Sequence, residues 1–332
     1  MEEISSNLYR IEIPLPESPL KYLNSYVIKT DKRNLIIDTG LDRTECLEVM
    51  QAGLKKLTID LRNTDFFITH LHGDHSGLVP KMATDTSKIY FNQIEMEVLK
   101  SKDLFNHVIS YNLRNGFPED KVTSAFPRRP DRRFGSTRET KLEIKKDGDA
   151  IHVGDYSFTC VETAGHSPGH MCLYEPDKKI LVAGDHLLID ITPGILCHSD
   201  EMNPLRRYLS SLDKVEKLEV RLVLPGHRRL FKNHRRRIRE LKEHHQSRLE
   251  EVLSILSKGA MSAFQVASKM TWDVRSDSWD QVPEIQKWFA TGEAIAHLRY
   301  LEEEGRVFRN SESKMTTYTL VTKKENNPPF RG

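Results

Sequence analysis

The feature that most constrains this chain is the stretch THLHGDHSG at residues 69–77. Three histidines and one aspartate fall within six residues, directly after the apolar run Phe66–Ile68, which is typical of a buried strand. Imidazole nitrogens and carboxylate oxygens are the ligands that zinc and other borderline first-row metals prefer. We therefore expect a metal site at the end of this strand, with a sharp backbone turn at Gly73 that lets neighbouring side chains converge.

Other potential ligands follow apolar runs further along the chain. His166, Asp185 and His227 each come shortly after a predicted strand and directly after a glycine. Glycine permits the tight loops that aim a side chain inward. These residues are therefore predicted to join the same site.

The motif His-X-His-X-Asp-His followed by Ser-Gly resembles the signature of the metallo-β-lactamase fold superfamily, and the resemblance extends over roughly residues 8–230. It implies a pair of divalent metal ions. The ligands it implies are His70, His72 and His166 on one metal, Asp74, His75 and His227 on the other, and Asp185 between them. It also implies catalytic roles for Asp185, which bridges the metals, and for Asp74, which orients the nucleophile or relays a proton.

Three further residues are predicted near the metals without binding them. Asp38 ends an apolar strand; the resemblance implies that its carboxylate holds the metal loop, and the residues alone also fit a plain turn cap. His170 begins a predicted strand and His186 follows Asp185, so we expect both to be buried or hydrogen-bonded neighbours of the site.

This set of residues predicts an enzyme, a hydrolase that works without a serine or cysteine nucleophile. Zinc is the expected metal, with iron or manganese as alternatives. A water that bridges two cations loses its proton near neutral pH, and the resulting hydroxide attacks an electrophilic carbonyl or phosphorus. An ester, thioester or lactone is the expected small-molecule substrate, because the loops resemble those of glyoxalase II.

Residue 185 separates branches of the superfamily. The best-known zinc β-lactamases carry a cysteine at the corresponding position, whereas Asp185 resembles the glyoxalase II, phosphodiesterase and nuclease branches. Antibiotic hydrolysis is therefore not expected. The sequence also has no Gly-rich flavin segment, which argues against the oxygen-reducing diiron branch.

Alternating strands and helices predict an α+β catalytic domain at residues 1–233, and the resemblance implies a four-layer αββα sandwich. Residues 92–140 are typical of an insertion, and in the resembled superfamily such insertions lie over the active site and set the substrate. From Phe126 to Asp147 there are eight Arg or Lys and four Asp or Glu. This segment is predicted either as a solvated surface loop or as an anion-binding rim.

Residues 234–323 predict three helices and a hairpin, which resemble a small winged-helix domain, and residues 324–332 predict a flexible tail. The last of the three helices is expected at residues 294–304, after a loop that carries Trp288. A metal domain with such a C-terminal region resembles the β-lactamase-like protein 2 group, whose animal member is an endoribonuclease. Single-stranded RNA is therefore the alternative substrate, and a non-catalytic nucleic-acid-binding regulator is a third interpretation.

Charge in the C-terminal region both favours and opposes a nucleic acid partner. From His227 to Lys242 inclusive there are eight Arg or Lys and a single acid, which fits a phosphate backbone. The last helix instead ends in Glu302–Glu304, which would repel phosphate if that helix were the recognition helix. The alternative is that the C-terminal region only packs against the catalytic domain or forms a homodimer.

Composition limits the remaining interpretations. The 332 residues, 38% of them hydrophobic, can bury one large core or two unequal cores, and a net charge of +2 points to no particular partner. No apolar run approaches the roughly 18 residues of a membrane helix, and the first residues are not typical of a signal or transit peptide. Cys46, Cys160, Cys172 and Cys197 are scattered, so we expect reduced thiols in a cytoplasmic protein.

Overall fold

The computed structural model describes residues 1–100, 103–126, 141–274 and 276–321. The predicted tail and most of the arginine-rich segment, residues 127–140, lie outside the described residues. The chain divides into two compact units. Within the described ranges, the first unit holds residues 1–100, 141–193 and 207–241, and the second holds residues 103–126, 194–206 and 242–321. The predicted domain boundary at residue 233 and the location of the insertion over the active site stay predictions.

Two sheets form the first unit. The seven-stranded sheet follows chain order: β1 (Glu2–Ser5), β2 (Leu8–Pro14), β3 (Tyr22–Ile28), β4 (Asn34–Ile37), β5 (Thr64–Phe67), β6 (Lys88–Asn92) and β7 (Lys141–Lys145). The five-stranded sheet has the order β12 (Leu222–Pro225), β11 (Ile180–Gly184), β10 (Met171–Glu175), β9 (Tyr156–Glu162) and β8 (Ala150–Val153). Neighbours are antiparallel from β1 to β4 and from β8 to β11, and parallel from β4 to β7 and between β11 and β12.

Side chains alternate between the two faces of the first sheet, as the two-residue period of a strand requires. In β4, Leu35 and Ile37 join the core between the sheets, whereas Ile36 faces the opposite way. In β5, Phe67 and Phe66 divide in the same manner. The second sheet contributes buried residues to the same inter-sheet core, among them Phe158, Leu173, Val182 and Leu224. The two sheets therefore pack face to face as a sandwich.

Helices cover the outer faces of the sandwich. On the first sheet, helix α1 (Thr44–Lys56) buries side chains that recur every four residues, namely Cys46, Met50 and Leu54. On the second sheet, helix α7 (Pro204–Glu216) buries Tyr208, and its Ser211 hydroxyl donates to the Ala164 carbonyl at 2.8 Å. The predicted four-layer αββα sandwich is confirmed.

Short helices follow the strands of the first sheet. They are α2 (Gly73–Ser76), α3 (Val79–Met82) and α4 (Gln93–Lys100). Among the described residues, every helix is too short or too polar to cross a membrane.

The second unit contains the helices and the hairpin predicted for the C-terminal region. Its elements are α5 (Leu104–Arg114), α6 (Val122–Ala125), the part of α8 (His234–Leu256) from residue 242, α9 (Ala263–Ala267), α10 (Glu284–Glu303), β13 (Val307–Asn310) and β14 (Thr317–Leu320). The rings of Phe117 and Trp288, 4.9 Å apart, belong to a buried apolar cluster of this unit. The order helix, helix, helix and hairpin follows the prediction.

Helix α10 begins at Glu284, so the predicted start at residue 294 is wrong. Trp288 lies on this helix and not in a loop, and its ring is buried against Phe117 and Phe126. Pro283 stands just before the first turn, where the missing N–H leaves no helical hydrogen bond unmade. The helix therefore begins ten residues before the predicted start, and these added turns include the buried Trp288.

Candidate metal centre

Five strands end at the edge of the sandwich that carries the site. Asp38 follows β4, His70 follows β5, His166 follows β9, Asp185 follows β11 and His227 follows β12. β4 and β5 are parallel, as are β11 and β12, and β9 runs in the same direction as β11 because both are antiparallel to β10. Residues that are remote in the chain therefore meet where the carboxyl ends of these strands lie.

The first group of potential ligands comprises His70, His72 and His166. His72 Nδ1 lies 2.9 Å from His70 Nε2 and 3.0 Å from His166 Nε2. All three side chains offer ligand atoms within 4.8 Å of one another, so they could hold one metal ion. His70 is buried and His72 is exposed, which leaves the group accessible from solvent on one side.

The second group comprises Asp74, His75 and His227. Asp74 Oδ2 lies 3.3 Å from His227 Nε2 and 3.9 Å from His75 Nε2. Both imidazoles are buried and Asp74 is half-buried. These side chains also offer ligand atoms within 4.8 Å of one another.

Asp185 lies between the two groups. Its Oδ2 atom is 3.5 Å from His166 Nε2 in the first group and 3.5 Å from His227 Nε2 in the second. Its Oδ1 atom is 3.5 Å from His75 Nε2. A carboxylate has lone pairs for two cations, which a single imidazole nitrogen lacks. The structure thus brings all seven predicted ligands to one place.

Buried atoms without partners mark the centre of the site. Among the described residues, His75 Nε2, His227 Nε2 and Asp185 Oδ1 are buried and have no hydrogen-bond partner. Buried polar atoms are normally paired, so these atoms fit a ligand that accepts their lone pairs. A Cβ atom at Gly226 would lie 2.5 Å from Asp185 Oδ1 and 2.8 Å from His75 Cε1, so only glycine fits there. Nitrogen and carboxylate donors in this arrangement suit zinc or a similar divalent metal.

Charge couples the members of the second group. Burial acts to lower the pKa of His227, but the carboxylates of Asp185 and Asp74 outweigh it and raise that pKa to about 10. Burial likewise opposes protonation of His75, and Asp38, Asp185 and Asp74 raise its pKa well above the usual range. The same carboxylates that favour a proton on these two imidazoles would also attract a divalent cation to this group.

His70 in the first group is held neutral instead. Burial, together with the imidazoles of His75 and His72, lowers its pKa well below the usual range. Neutral imidazole is the form that binds a metal. The two groups therefore differ in charge although both are built from histidine.

Asp38 ties the metal loop to His75. Its Oδ1 atom accepts a hydrogen bond from the Thr69 amide at 2.9 Å, and its Oδ2 atom accepts one from the Thr69 hydroxyl at 2.8 Å. The same Oδ2 atom lies 2.7 Å from His75 Nδ1, which donates to it. Asp38 therefore leaves Nε2 as the atom of His75 that faces the other donors.

His170 and His186 are buried beside the site, and neither belongs to a group of potential ligands among the described residues. His170 Nε2 accepts the hydrogen of the Asp185 amide at 3.1 Å, and its Nδ1 lies 2.8 Å from the Thr163 hydroxyl. The ring of His186 lies 5.4 Å from that of Tyr208, whose hydroxyl donates to the His186 carbonyl at 3.1 Å. His170 thus contacts the backbone of Asp185, and His186 packs against helix α7.

Residues in β3 hold the loop that carries His227. The apolar pattern of β3 did not predict this role. Asn24 Nδ2 donates to the carbonyls of Pro225 at 2.9 Å and Arg228 at 2.8 Å, on either side of His227. His227 Nδ1 lies 2.8 Å from the Tyr22 carbonyl, which orients the ring. The signal that could have found Asn24 is an amide within a buried, largely apolar strand, since buried polar groups need partners.

Gly77, and not Gly73, is the glycine that the motif requires. Gly73 is the first residue of α2, directly after the extended His72, and a Cβ there would meet only Leu41 Cδ2, at 3.6 Å. A Cβ at Gly77 would lie 2.5 Å from the Gly73 carbonyl oxygen and 2.7 Å from the Asp42 amide nitrogen. Backbone atoms cannot swing aside as a flexible side chain can, so this close approach requires glycine.

This fold and this cluster of donors define a class of metal-dependent hydrolases. The chain belongs to the Metallo-beta-lactamase superfamily, whose family profile matches residues 20–227. Residues 249–319 match the profile of the Metallo-beta-lactamase-like, C-terminal domain. The predicted superfamily and the prediction of a hydrolytic enzyme are confirmed.

Known relatives and a solved structure show how far the similarity extends. The chain is 30% identical to the acyl-coenzyme A thioesterase MBLAC2 of Homo sapiens, over 63% of this chain and 74% of that protein. It is 24% identical to the lactamase-like protein adaB of Aspergillus niger over 78% of this chain, and it spans 66% of the length of that relative. A crystal structure of a metallo-beta-lactamase family protein from Thermus thermophilus matches with a TM-score of 0.78 and 26% identity, over 96% of this chain and 100% of that one.

Proposed function

We propose that this protein is a two-metal hydrolase that cleaves a carboxylic thioester, within the wider class of esters and lactones. The observation that carries the proposal is Asp185, whose two oxygens lie 3.5 Å from nitrogens of both ligand groups. A carboxylate in this position can hold two cations at once. The first cation would be held by His70, His72 and His166, and the second by Asp74, His75 and His227.

Asp74 is the residue that we propose to orient the attacking water. When bound, such cations supply Lewis acidity toward a carbonyl oxygen and make hydroxide available at neutral pH. Although burial acts to raise the pKa of the Asp74 carboxyl, the imidazoles of His75 and His227 hold it below its usual range. Asp74 is therefore ionised, and since it is half-buried it can accept a hydrogen bond from an incoming water and orient it.

A carboxyl group that is a poor acid favours a leaving group that needs no protonation. Thiols ionise with a pKa of about 8.5, far below that of an alcohol, so a thiolate leaves without help from a general acid. The ionised Asp74 has no proton to give to a leaving group. The 30% identical human relative is named an acyl-coenzyme A thioesterase, which supports the same class of substrate.

The substitution Asp185→Asn tests the metal centre. We expect bound zinc to fall, and thioester hydrolysis to fall by more than about 100-fold, since partners outside the ligand set already contribute about 10–100-fold. Asp190→Asn is the matched control, because Asp190 is exposed and pairs with Arg229 at 3.0 Å. Elemental analysis and turnover of an acyl-coenzyme A measure both effects. Unchanged zinc and turnover in Asp185→Asn would contradict the proposal.

A substrate panel tests the class of bond that is cleaved. Zinc-loaded protein is assayed against an acyl-coenzyme A, a lactone, an alkyl ester, a phosphodiester and single-stranded RNA. We expect the highest kcat/KM for the thioester, because its thiolate leaves without a proton from the ionised Asp74. Faster cleavage of the phosphodiester or the RNA would favour the alternative function.

An endoribonuclease that acts on single-stranded RNA is that alternative, and surface charge favours it. Five exposed basic residues follow His227 within a short stretch, namely Arg229, Lys232, Arg235, Arg236 and Arg239. The acidic end of α10 is partly neutralised, because Glu302 pairs with Arg309 at 3.1 Å and Glu303 with Arg206 at 2.8 Å. Phosphate contacts make RNA affinity fall steeply with salt. Binding that is absent, or that does not change with salt, would exclude this alternative.

Zinc is the metal that we propose, with iron or manganese as alternatives, and the cytoplasm is the proposed compartment. All four cysteines are free and buried, a state that a reducing compartment maintains. Burial raises the pKa of Cys160 and of Cys172 to about 12, so both thiols stay protonated and unreactive. The homodimer stays a prediction.

A further inference from the structure

A buried carboxylate outside the predicted ligand set links the two loops of the first histidine group. Glu95 lies in the first turn of α4 and is 2% exposed. Its Oε1 atom accepts hydrogen bonds from the Ser167 hydroxyl at 2.6 Å and from the Gly169 amide at 2.8 Å. Its Oε2 atom accepts one from the Leu71 amide at 3.2 Å. Each oxygen of the carboxylate therefore serves a different loop.

These hydrogen-bond partners stand next to the histidines. Leu71 lies between His70 and His72, and Ser167 directly follows His166. The first loop extends from β5 in the seven-stranded sheet, and the second extends from β9 in the five-stranded sheet. Because strand pairing does not set the distance between loops of different sheets, contacts between the loops must do so.

Two sets of hydrogen bonds link the two sheets next to the first histidine group. At the base of the loops, the Met171 amide donates to the Thr69 carbonyl at 2.9 Å. Further out, Glu95 joins the loops themselves through its carboxylate. Glu95 is therefore a second link between the loops, made by a side chain and not by the backbone.

Glu95 has little room to move. A Cβ atom at Gly169 would lie 2.8 Å from Asn92 Oδ1 and 3.0 Å from Glu95 Cγ, so the second loop packs directly on α4. Asn92 Oδ1 accepts the hydrogen of the Ile94 amide at 2.7 Å and so caps the start of this helix. The carboxylate is therefore presented from a rigid helical turn and not from a mobile loop.

We propose that Glu95 is a positioning residue that sets the distance of His166 from His70 and His72, and thereby the metal affinity of this group. The inference rests on the proposed metal centre. All three hydrogen bonds of Glu95 end within three residues of a first-group histidine. A defect at Glu95 therefore weakens the first group and spares the second.

The substitution Glu95→Gln tests this assignment, because an amide keeps the size of the side chain but turns one acceptor into a donor. Opposite the Leu71 amide or the Gly169 amide, that donor breaks one of the links. Zn(II) affinity is measured by competition with a chromophoric chelator in two backgrounds. His227→Ala leaves the first group complete, and His166→Ala leaves the second group complete.

In the His227→Ala background we expect Glu95→Gln to lower Zn(II) affinity by about 10–100-fold, and in the His166→Ala background by less than about threefold. Glu97→Gln is the matched control, because Glu97 is exposed on the same helix and should change neither value. Ser167→Ala removes only the hydroxyl donor, so it provides a second variant if Glu95→Gln does not fold. It should lower affinity in the His227→Ala background alone.

The outcomes separate this inference from the proposed function. Equal losses in both backgrounds, or no loss in the His227→Ala background, would overturn the assignment of Glu95 and leave the metal centre standing. Absence of Zn(II) binding by the unsubstituted protein would overturn the proposed function and the inference with it. The unfolding temperatures of metal-free Glu95→Gln and Glu97→Gln are also compared. Equal temperatures, together with the selective loss of Zn(II) affinity, would show that Glu95 positions the histidines and does not merely stabilise the fold.

Discussion

At the scale of single residues, the histidines of the site differ in the charge state that their surroundings favour. Burial lowers the pKa of His70, whereas neighbouring carboxylates raise the pKa of His75 and of His227. In the second group a proton and a metal ion therefore compete for the same lone pairs. The carboxylates of Asp74 and Asp185 attract both, so the second group is held together by charge with or without a metal.

The pKa of His227 predicts how the stability of the metal-free protein depends on pH. The folded value of about 10 lies above the unfolded value of about 6.5, so this stabilisation is complete below about pH 6.5 and is lost as pH rises through about 10. We expect the unfolding temperature of the metal-free protein to fall over this range relative to that of His227→Gln. Calorimetry measures both proteins, and parallel pH profiles would contradict the coupling.

At the scale of elements, the potential ligands lie in the segments just after the strands. Side chains in or next to neighbouring strands hold two of these segments by hydrogen bonds. Asp38, after β4, contacts both Thr69 and His75. Asn24, in β3, contacts the backbone on both sides of His227. These hydrogen bonds hold the loops in place although the loops are not strands themselves.

Two glycines of the metal motif should respond differently to alanine. Gly77→Ala forces a Cβ against backbone atoms, so we expect the free energy of unfolding to fall by about 1–3 kcal/mol. Gly73→Ala places its Cβ in ordinary contact with Leu41, so we expect a change of about 0.5 kcal/mol or less. Urea unfolding measures both values. Equal changes in the two variants would show that the backbone relaxes around residue 77.

At the scale of the whole molecule, each of the two units has its own apolar core. The first unit buries residues between its sheets and under α1, and the second buries a cluster that includes Phe117, Ala125 and Trp288. Residues 103–126 and 194–206 group with the second unit although segments of the first unit flank them in the chain. A cut at one position in the sequence would therefore not separate the units.

Trp288 should be a main source of stability in the second unit. Its ring lies 4.9 Å from that of Phe117 and 5.0 Å from that of Phe126, so Trp288→Ala should lower the free energy of unfolding by about 3–5 kcal/mol. The next residue supplies the control: Phe289 is 48% exposed, and Phe289→Ala should change stability by about 0.5 kcal/mol. Denaturant unfolding followed by circular dichroism measures both, and a small effect of Trp288→Ala would contradict this role.

The sequence by itself determined which residues could bind a metal and which segments form the sandwich. His70, His72, Asp74 and His75 share one short motif, and the later donors follow apolar strands and glycines. Strand alternation in β4 and β5 depends on residues one and two positions apart. Such local patterns can be recognised without knowing how the chain folds, which is why the donors and the layers could be predicted.

Only the tertiary structure decided which side chains support those donors. Glu95 reaches Ser167 across 72 positions of sequence and Gly169 across 74, and Asn24 reaches Pro225 across 201. Gly77 is required because the backbone at Asp42 approaches it, and α10 begins where burial of Trp288 extends it. These contacts arise when sheets and helices pack, so no pattern of neighbouring residues encodes them.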